Sequence, residues 1–189
     1  MTTIVVVRKG NQAAIAADSL TTFGSTRLAP AYDRNPHKII RFADSFIGVA
    51  GSAAHQLVLE NLLGKNPDLA LHGKEAIYES FRRLHPLLKD EAFLNPKEEE
   101  DDPYESSQMT VMIANPSGIF AVYSMREVFE FDRFWAIGSG RDFALGAMFV
   151  AYGRAADPAK VAKIGIEAGA EYDTGTSLPM SLHTVTIAA

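Results

Sequence analysis

The sequence MTTIVVVRKGNQAAIAAD (residues 1–18) contains two apolar stretches that are separated by the turn RKGN. β-Branched residues from Thr3 to Val7 predict one strand, and Gln12 to Asp18 predict a second. Glycine in the turn can adopt positive φ, which suits a tight hairpin. We therefore predict that Thr2 and Asp18 lie at the same end of two paired strands, because one strand begins where its partner finishes.

Thr2 is a candidate nucleophile, provided that an aminopeptidase removes Met1, a step that the small side chain of Thr2 favours. The freed residue would carry both a hydroxyl and an α-amine. A threonine hydroxyl needs a base within hydrogen-bond reach, and an α-amine titrates at about 7.7–8.0, nearer to neutral pH than a lysine at about 10.4. The alternative is an ordinary frayed terminus without a function.

Composition excludes several functional classes. The chain has 189 residues, of which 47% are hydrophobic, and this length fits one domain that buries roughly 70% of its unfolded surface. A net charge of −5 without a Lys/Arg-rich run argues against binding of nucleic acid. The absence of cysteine excludes disulfides, thiolate metal sites and a cysteine nucleophile. Lacking a signal-peptide pattern and a long apolar run, the protein is expected to be soluble, cytoplasmic and independent of membranes.

The remaining chain alternates between runs of strands and pairs of helices. Further strands are predicted at His37–Phe42, Phe46–Ala50, Gln108–Ala114, Ile119–Ser124, Val128–Phe131, Phe134–Ile137 and Leu182–Ile187. Helices are predicted after the N-cap Ser52, from Lys74 to about Phe93, from Asp142 to Ala155, and from the N-cap Asp157 to just before Tyr172. Segregated runs of this kind predict an α+β fold, a four-layer αββα sandwich of two antiparallel sheets flanked by helices, in a single domain of residues 1–189.

One segment has low complexity. Five consecutive acids, Glu98 to Asp102, lie between Pro96 and Pro103. We predict a solvated, mobile loop, with a functional acidic surface as the alternative.

Six short motifs occur in order along the chain: Thr2-Thr3-Ile4-Val5; Ile15-Ala16-Ala17-Asp18-Ser19 with Thr22 and Gly24; His37-Lys38-Ile39; Ala50-Gly51-Ser52-Ala53-Ala54; Ala136-Ile137-Gly138-Ser139-Gly140; and Asp173-Thr174-Gly175-Thr176. Each motif alone is weak. Together they resemble the proteasome β-subunit superfamily of N-terminal nucleophile hydrolases, and most closely its small bacterial members of the HslV type. The resemblance covers nearly the whole chain.

The resemblance implies a threonine-type endopeptidase that cleaves peptide bonds through an acyl-enzyme on Thr2. The implied catalytic residues are Thr2, Asp18, Lys38, Gly51, Ser139, Asp173 and Thr176. In this scheme Asp18 holds Lys38 beside the nucleophile, the Gly51 N–H binds the oxyanion, and the last three residues order the amine and a water. The alternatives are a structural Lys/Asp ion pair and simple loop or cap roles for the last three residues.

The resemblance also implies that Thr21, Thr22, Val49 and Ala53 bind substrate. The small apolar walls of this pocket favour a medium or large hydrophobic side chain in the substrate residue before the cleaved bond. The chain departs from the family pattern in three places. Thr176 stands where many members have serine, the Leu28 to Pro36 region contains an insertion, and His55 replaces an acidic residue. We assign His55 no catalytic role.

The implied assembly is a pair of stacked rings of six or seven copies, with seven favoured, that encloses an unfolded polypeptide or peptide substrate. The five histidines are not clustered, so neither a catalytic metal nor another cofactor is predicted, although relatives bind ions near the last helix. Because no phosphate-binding glycine loop is present, an ATP-driven unfoldase would be a separate protein. The alternatives are a catalytically silent ring or scaffold subunit and an amidase for a small molecule.

Overall fold

The computed structural model describes residues 1–97 and 101–188. The strands are β1 (Thr3–Lys9), β2 (Gln12–Asp18), β3 (Thr21–Phe23), β4 (Thr26–Leu28), β5 (Ile39–Phe42), β6 (Ser45–Ala50), β7 (Thr110–Asn115), β8 (Gly118–Val122), β9 (Val128–Glu130), β10 (Phe134–Gly138) and β11 (Met180–Thr186). The helices are α1 (Ala53–Lys65), α2 (Lys74–Asp90), α3 (Arg141–Tyr152) and α4 (Pro158–Tyr172).

Two antiparallel sheets form the centre of the molecule. One has the strand order β10-β1-β2-β11, the other has the order β5-β6-β7-β8-β9, and β3 pairs with β4 in a separate hairpin. Helices α3 and α4 pack on the first sheet, and α1 and α2 pack on the second. The fold is therefore the predicted four-layer αββα sandwich.

Strand β1 is apolar from Ile4 to Val7 because both of its faces are buried there. Ile4 and Val6 pack between the two sheets, whereas Val5 and Val7 pack beneath α3 and α4. Full burial of each such side chain stabilises the fold by about 1.5–3 kcal/mol. The start of the chain is thus held firmly in the centre of the sandwich, and this fixes the position of Thr2.

Several boundaries differ from those predicted. Strand β5 begins at Ile39, so Lys38 lies just before it, and β7 begins at Thr110, so Gln108 lies in the preceding loop. Helix α2 ends at Asp90 rather than at about Phe93, and it contains Pro86 within its length. Of the acidic stretch, residues 98–100 lie outside the described residues, and Asp101 is exposed.

No helix in residues 1–97 and 101–188 has both the length and the apolarity needed to span a bilayer.

Candidate active site

The two sheets bring Thr2, Asp18 and Lys38 together. In the β1–β2 register Ile4 lies opposite Ala17, which leaves Thr2 beside Asp18, while Lys38 enters from the second sheet. Thr2 Oγ1 donates a hydrogen bond to Asp18 Oδ1 at 2.6 Å. Lys38 Nζ donates to the same Asp18 oxygen at 2.8 Å and to Thr2 Oγ1 at 3.0 Å. The hydroxyl therefore lies between a carboxylate and a cation.

Asp18 is completely buried, and five donors satisfy its carboxylate. Three reach Oδ1, namely Thr2 Oγ1, Lys38 Nζ and the N–H of Thr3. The N–H groups of Leu20 and Ser177 reach Oδ2 at 3.0 and 3.3 Å. A buried charge is tolerated only when it is paired and hydrogen-bonded in this way, so the carboxylate is fixed in one orientation.

The side chain of Lys38 is largely buried. Only 11% of its side chain is exposed, and Nζ also donates to the Leu20 carbonyl oxygen at 2.6 Å. Burial lowers the pKa of Lys38 below its ordinary value, and the charge of Asp18 and its hydrogen bond oppose this effect without cancelling it. The pKa of Lys38 is therefore closer to neutral pH than that of an exposed lysine.

A second cluster lies on the other side of the Thr2 backbone. Ser139 Oγ and Thr176 Oγ1 both donate to Asp173 Oδ2, at 2.7 and 2.6 Å. Burial opposes the charge of Asp173, but hydrogen bonds from Thr176, Ser139 and the Gly175 backbone, together with the terminal amino group, outweigh it and lower the pKa of Asp173. The Ser139 N–H donates to the Thr2 carbonyl oxygen at 2.8 Å. This cluster is thus tied directly to the backbone of residue 2.

Thr3 connects the two clusters, and it was not among the predicted site residues. Its N–H donates to Asp18, and its Oγ1 lies 2.6 Å from Thr176 Oγ1. The side chain is fully buried. A Cβ added at Gly140 would collide with it, and a Cβ added at Gly169 would make a tight contact with it. The repeated threonine at the start of the chain was the available signal.

A pocket of about 420 Å³ opens beside Thr2. Its walls include Lys38, Gly51 and all four residues predicted to bind substrate: Thr21, Thr22, Val49 and Ala53. The carboxyl-bearing Asp33 and Glu60 also line it, and neither was expected. The walls are therefore more polar than the small apolar residues alone indicated.

His55 supports the Gly51 loop through a helix cap. Ser52 Oγ accepts from the Ala54 N–H at 3.4 Å, and His55 Nδ1 accepts from the Ser52 N–H at 3.3 Å. This reciprocal pair is a capping box at the start of α1. The histidine thus has a structural role, because a neutral imidazole nitrogen can accept a hydrogen bond.

We expect this cap to weaken in acid. Burial lowers the pKa of His55, so below pH 6.5 the unfolded chain binds a proton that the folded chain resists. The free energy of unfolding should therefore fall as the pH drops from 6.5 to the lowered pKa. Urea titrations at several pH values measure this effect. The free energy of unfolding should depend less steeply on pH in His55→Gln, because glutamine keeps a hydrogen-bond acceptor but does not titrate.

His183 provides the control, because burial and the charges of His37 and Arg41 lower its pKa too. His183→Asn should also make the free energy of unfolding less dependent on pH, independently of the change in His55→Gln. An unchanged slope in His55→Gln would show that the cap does not titrate.

The chain is similar to several known proteins. No protein-family model matches the chain. The ATP-dependent protease subunit HslV of Caldicellulosiruptor saccharolyticus is 28% identical over 175 residues, 89% of each chain. The solved structure of Thiobacillus denitrificans BPH is 38% identical over 98% of each chain with a TM-score of 0.92, and this protein has also been solved in complex with epoxomicin.

HslV from Trypanosoma brucei, at 21% identity, has a TM-score of 0.70 over 97% of this chain and 99% of its own. This more distant likeness concerns the fold alone. The Thiobacillus protein, by contrast, matches in both sequence and fold over almost the full length of both chains. The chain therefore belongs to the proteasome β-subunit superfamily of N-terminal nucleophile hydrolases, as an HslV-like member.

Proposed function

We propose that this protein is an N-terminal threonine peptidase and that Thr2 is its nucleophile. The observation that carries the proposal is the contact of Thr2 Oγ1 with both Lys38 and Asp18, at 3.0 and 2.6 Å. Attack of Oγ on a peptide carbonyl forms a tetrahedral oxyanion, which the Gly51 N–H would stabilise. The freed α-amine takes the hydroxyl proton during the attack. Collapse then breaks the C–N bond, gives this proton to the leaving amine and leaves the acyl group as an ester on Thr2, which water hydrolyses.

Removal of Met1 is part of this proposal. While Met1 is attached, the Thr2 nitrogen belongs to an amide and cannot act as a base. The Met1 carbonyl oxygen lies 3.5 Å from Lys38 Nζ, and Met1 lines the pocket beside Thr2. Its removal would therefore free both the α-amine and space for substrate. Ser139, Asp173 and Thr176 would then orient the amine and a water.

We further propose that the peptidase works as a self-compartmentalising assembly. The HslV relative is named as a subunit of an ATP-dependent protease, which favours a multi-subunit complex. Stacked rings of six or seven copies, with seven favoured, would enclose an unfolded polypeptide or peptide. An ATP-driven unfoldase is a candidate partner and would be a separate protein.

Intact-protein mass spectrometry tests this function. We expect a mass that lacks Met1, and one covalent adduct per chain after treatment with epoxomicin or a β-lactone, located on Thr2 by peptide mapping. A processed chain that neither reagent labels would instead support a catalytically silent ring subunit. Labelling without hydrolysis of any peptide in a mixed peptide library would support an amidase for a small molecule.

A further inference from the structure

Gln108 has an unusual backbone conformation close to the proposed oxyanion site. Its φ is +51°, in the left-handed region that residues other than glycine rarely adopt. Three hydrogen bonds hold it there. Its N–H donates to Ser106 Oγ at 2.9 Å, and its side-chain amide donates to the carbonyl oxygens of Asn95 and Lys97 at 2.5 and 3.1 Å. Such strain persists only where the surrounding structure enforces it, and it is concentrated at functional sites.

The carbonyl group of Gln108 packs against Gly51. A Cβ added to Gly51 would lie 3.2 Å from this oxygen and 2.9 Å from His55 Nδ1 on α1. Gly51 itself has a φ of +149°. The two contacts confine its peptide between the loop that precedes β7 and the N-terminal cap of α1. A shift of residue 108 would therefore change the space available to the Gly51 peptide.

We propose that Gln108 is a positioning residue that holds the Gly51 N–H in its oxyanion-binding orientation. This inference rests on the proposed function. We call the two hydrogen bonds from the Gln108 side chain to Asn95 and Lys97 the clamp. The clamp fixes the Gln108 backbone, and the Gln108 carbonyl oxygen then restrains Gly51 by direct contact. Gln108 makes no contact with the reacting atoms and acts only through Gly51. The loop that follows α2 is thereby coupled mechanically to the catalytic centre.

Two variants test the role of the clamp. Gln108→Met keeps the length of the side chain but cannot donate, and Gln108→Gly adopts positive φ without strain. We expect kcat for a fluorogenic peptide to fall about tenfold in both, a fraction of the loss that follows removal of an oxyanion donor. KM should stay within about twofold, because substrate binding is not altered. The affinity of a peptide boronate, which places an oxygen at the oxyanion site, should fall in parallel with kcat.

Ala43→Gly is the matched control, since Ala43 also has a φ of +51° but lies in the β5–β6 turn. It should leave kcat and boronate affinity unchanged, and thermal unfolding should show that all variants are folded. Unchanged kcat in both Gln108 variants, or a reduced kcat with unchanged boronate affinity, would overturn the inference. A wild-type protein without turnover or labelling would count against the proposed function itself.

Discussion

Thr2→Ala is expected to abolish peptide hydrolysis, with kcat/KM at least about a thousandfold lower than in the wild type, because the covalent step loses its nucleophile. Labelling by epoxomicin or a β-lactone should disappear as well. The fold should persist, since Asp18 retains its hydrogen bonds to Lys38 and to the N–H groups of Thr3, Leu20 and Ser177. Fluorogenic peptide assays and intact-protein mass spectrometry measure the two effects.

Two further variants control this experiment. Thr2→Ser keeps a hydroxyl beside Lys38 and should retain labelling and measurable hydrolysis. Thr26→Ala removes an exposed hydroxyl on β4 and should leave both unchanged. Alanine and serine are also small, so neither Thr2 variant should impair removal of Met1. If Thr2→Ala were still labelled or hydrolysed peptide at the wild-type rate, Thr2 would not be the nucleophile.

The sequence predicted the fold class because local patterns and the long-range arrangement agree. The apolar run Ile4 to Val7 marks a strand buried on both faces, and Gly10 with its positive φ of 58° marks the turn that follows. Strand ends were less predictable. Lys38 was expected within a strand but lies just before β5, since nothing in the local pattern indicates where pairing with β6 begins.

The candidate site was only partly readable from sequence. The charged side chains of Asp18 and Lys38 indicate a chemical role. The backbone N–H groups of Leu20 and Ser177 that bind Asp18 give no such signal, because nearly every residue has one. Ser177 lies 159 residues from Asp18 along the chain, so only the folded structure reveals the contact. The proposed role of Gln108 could not be predicted from the sequence for a similar reason. It depends on backbone conformation and on packing against Gly51.

Lys38→Met is the second substitution with a large expected effect. It removes the cation that contacts both Thr2 Oγ1 and Asp18, and proton transfer by a positioned group contributes about 10²–10⁴-fold to rate. We expect kcat/KM to fall about a thousandfold. The change also leaves the buried Asp18 charge without its cationic partner, which should lower the free energy of unfolding by about 3 kcal/mol. Peptide assays and urea unfolding measure the two losses separately.

Lys89→Met is the matched control for Lys38→Met. Lys89 also forms an ion pair, with Glu105 at 2.5 Å, but both side chains are more than 40% exposed, and water compensates readily when such a pair is lost. Activity and stability should therefore change little. If Lys38→Met lost stability while kcat/KM stayed at the wild-type value, the lysine would serve only as a structural partner of Asp18. The nucleophile would then have to be activated by the freed α-amine alone, because no other described cation contacts Thr2 Oγ1.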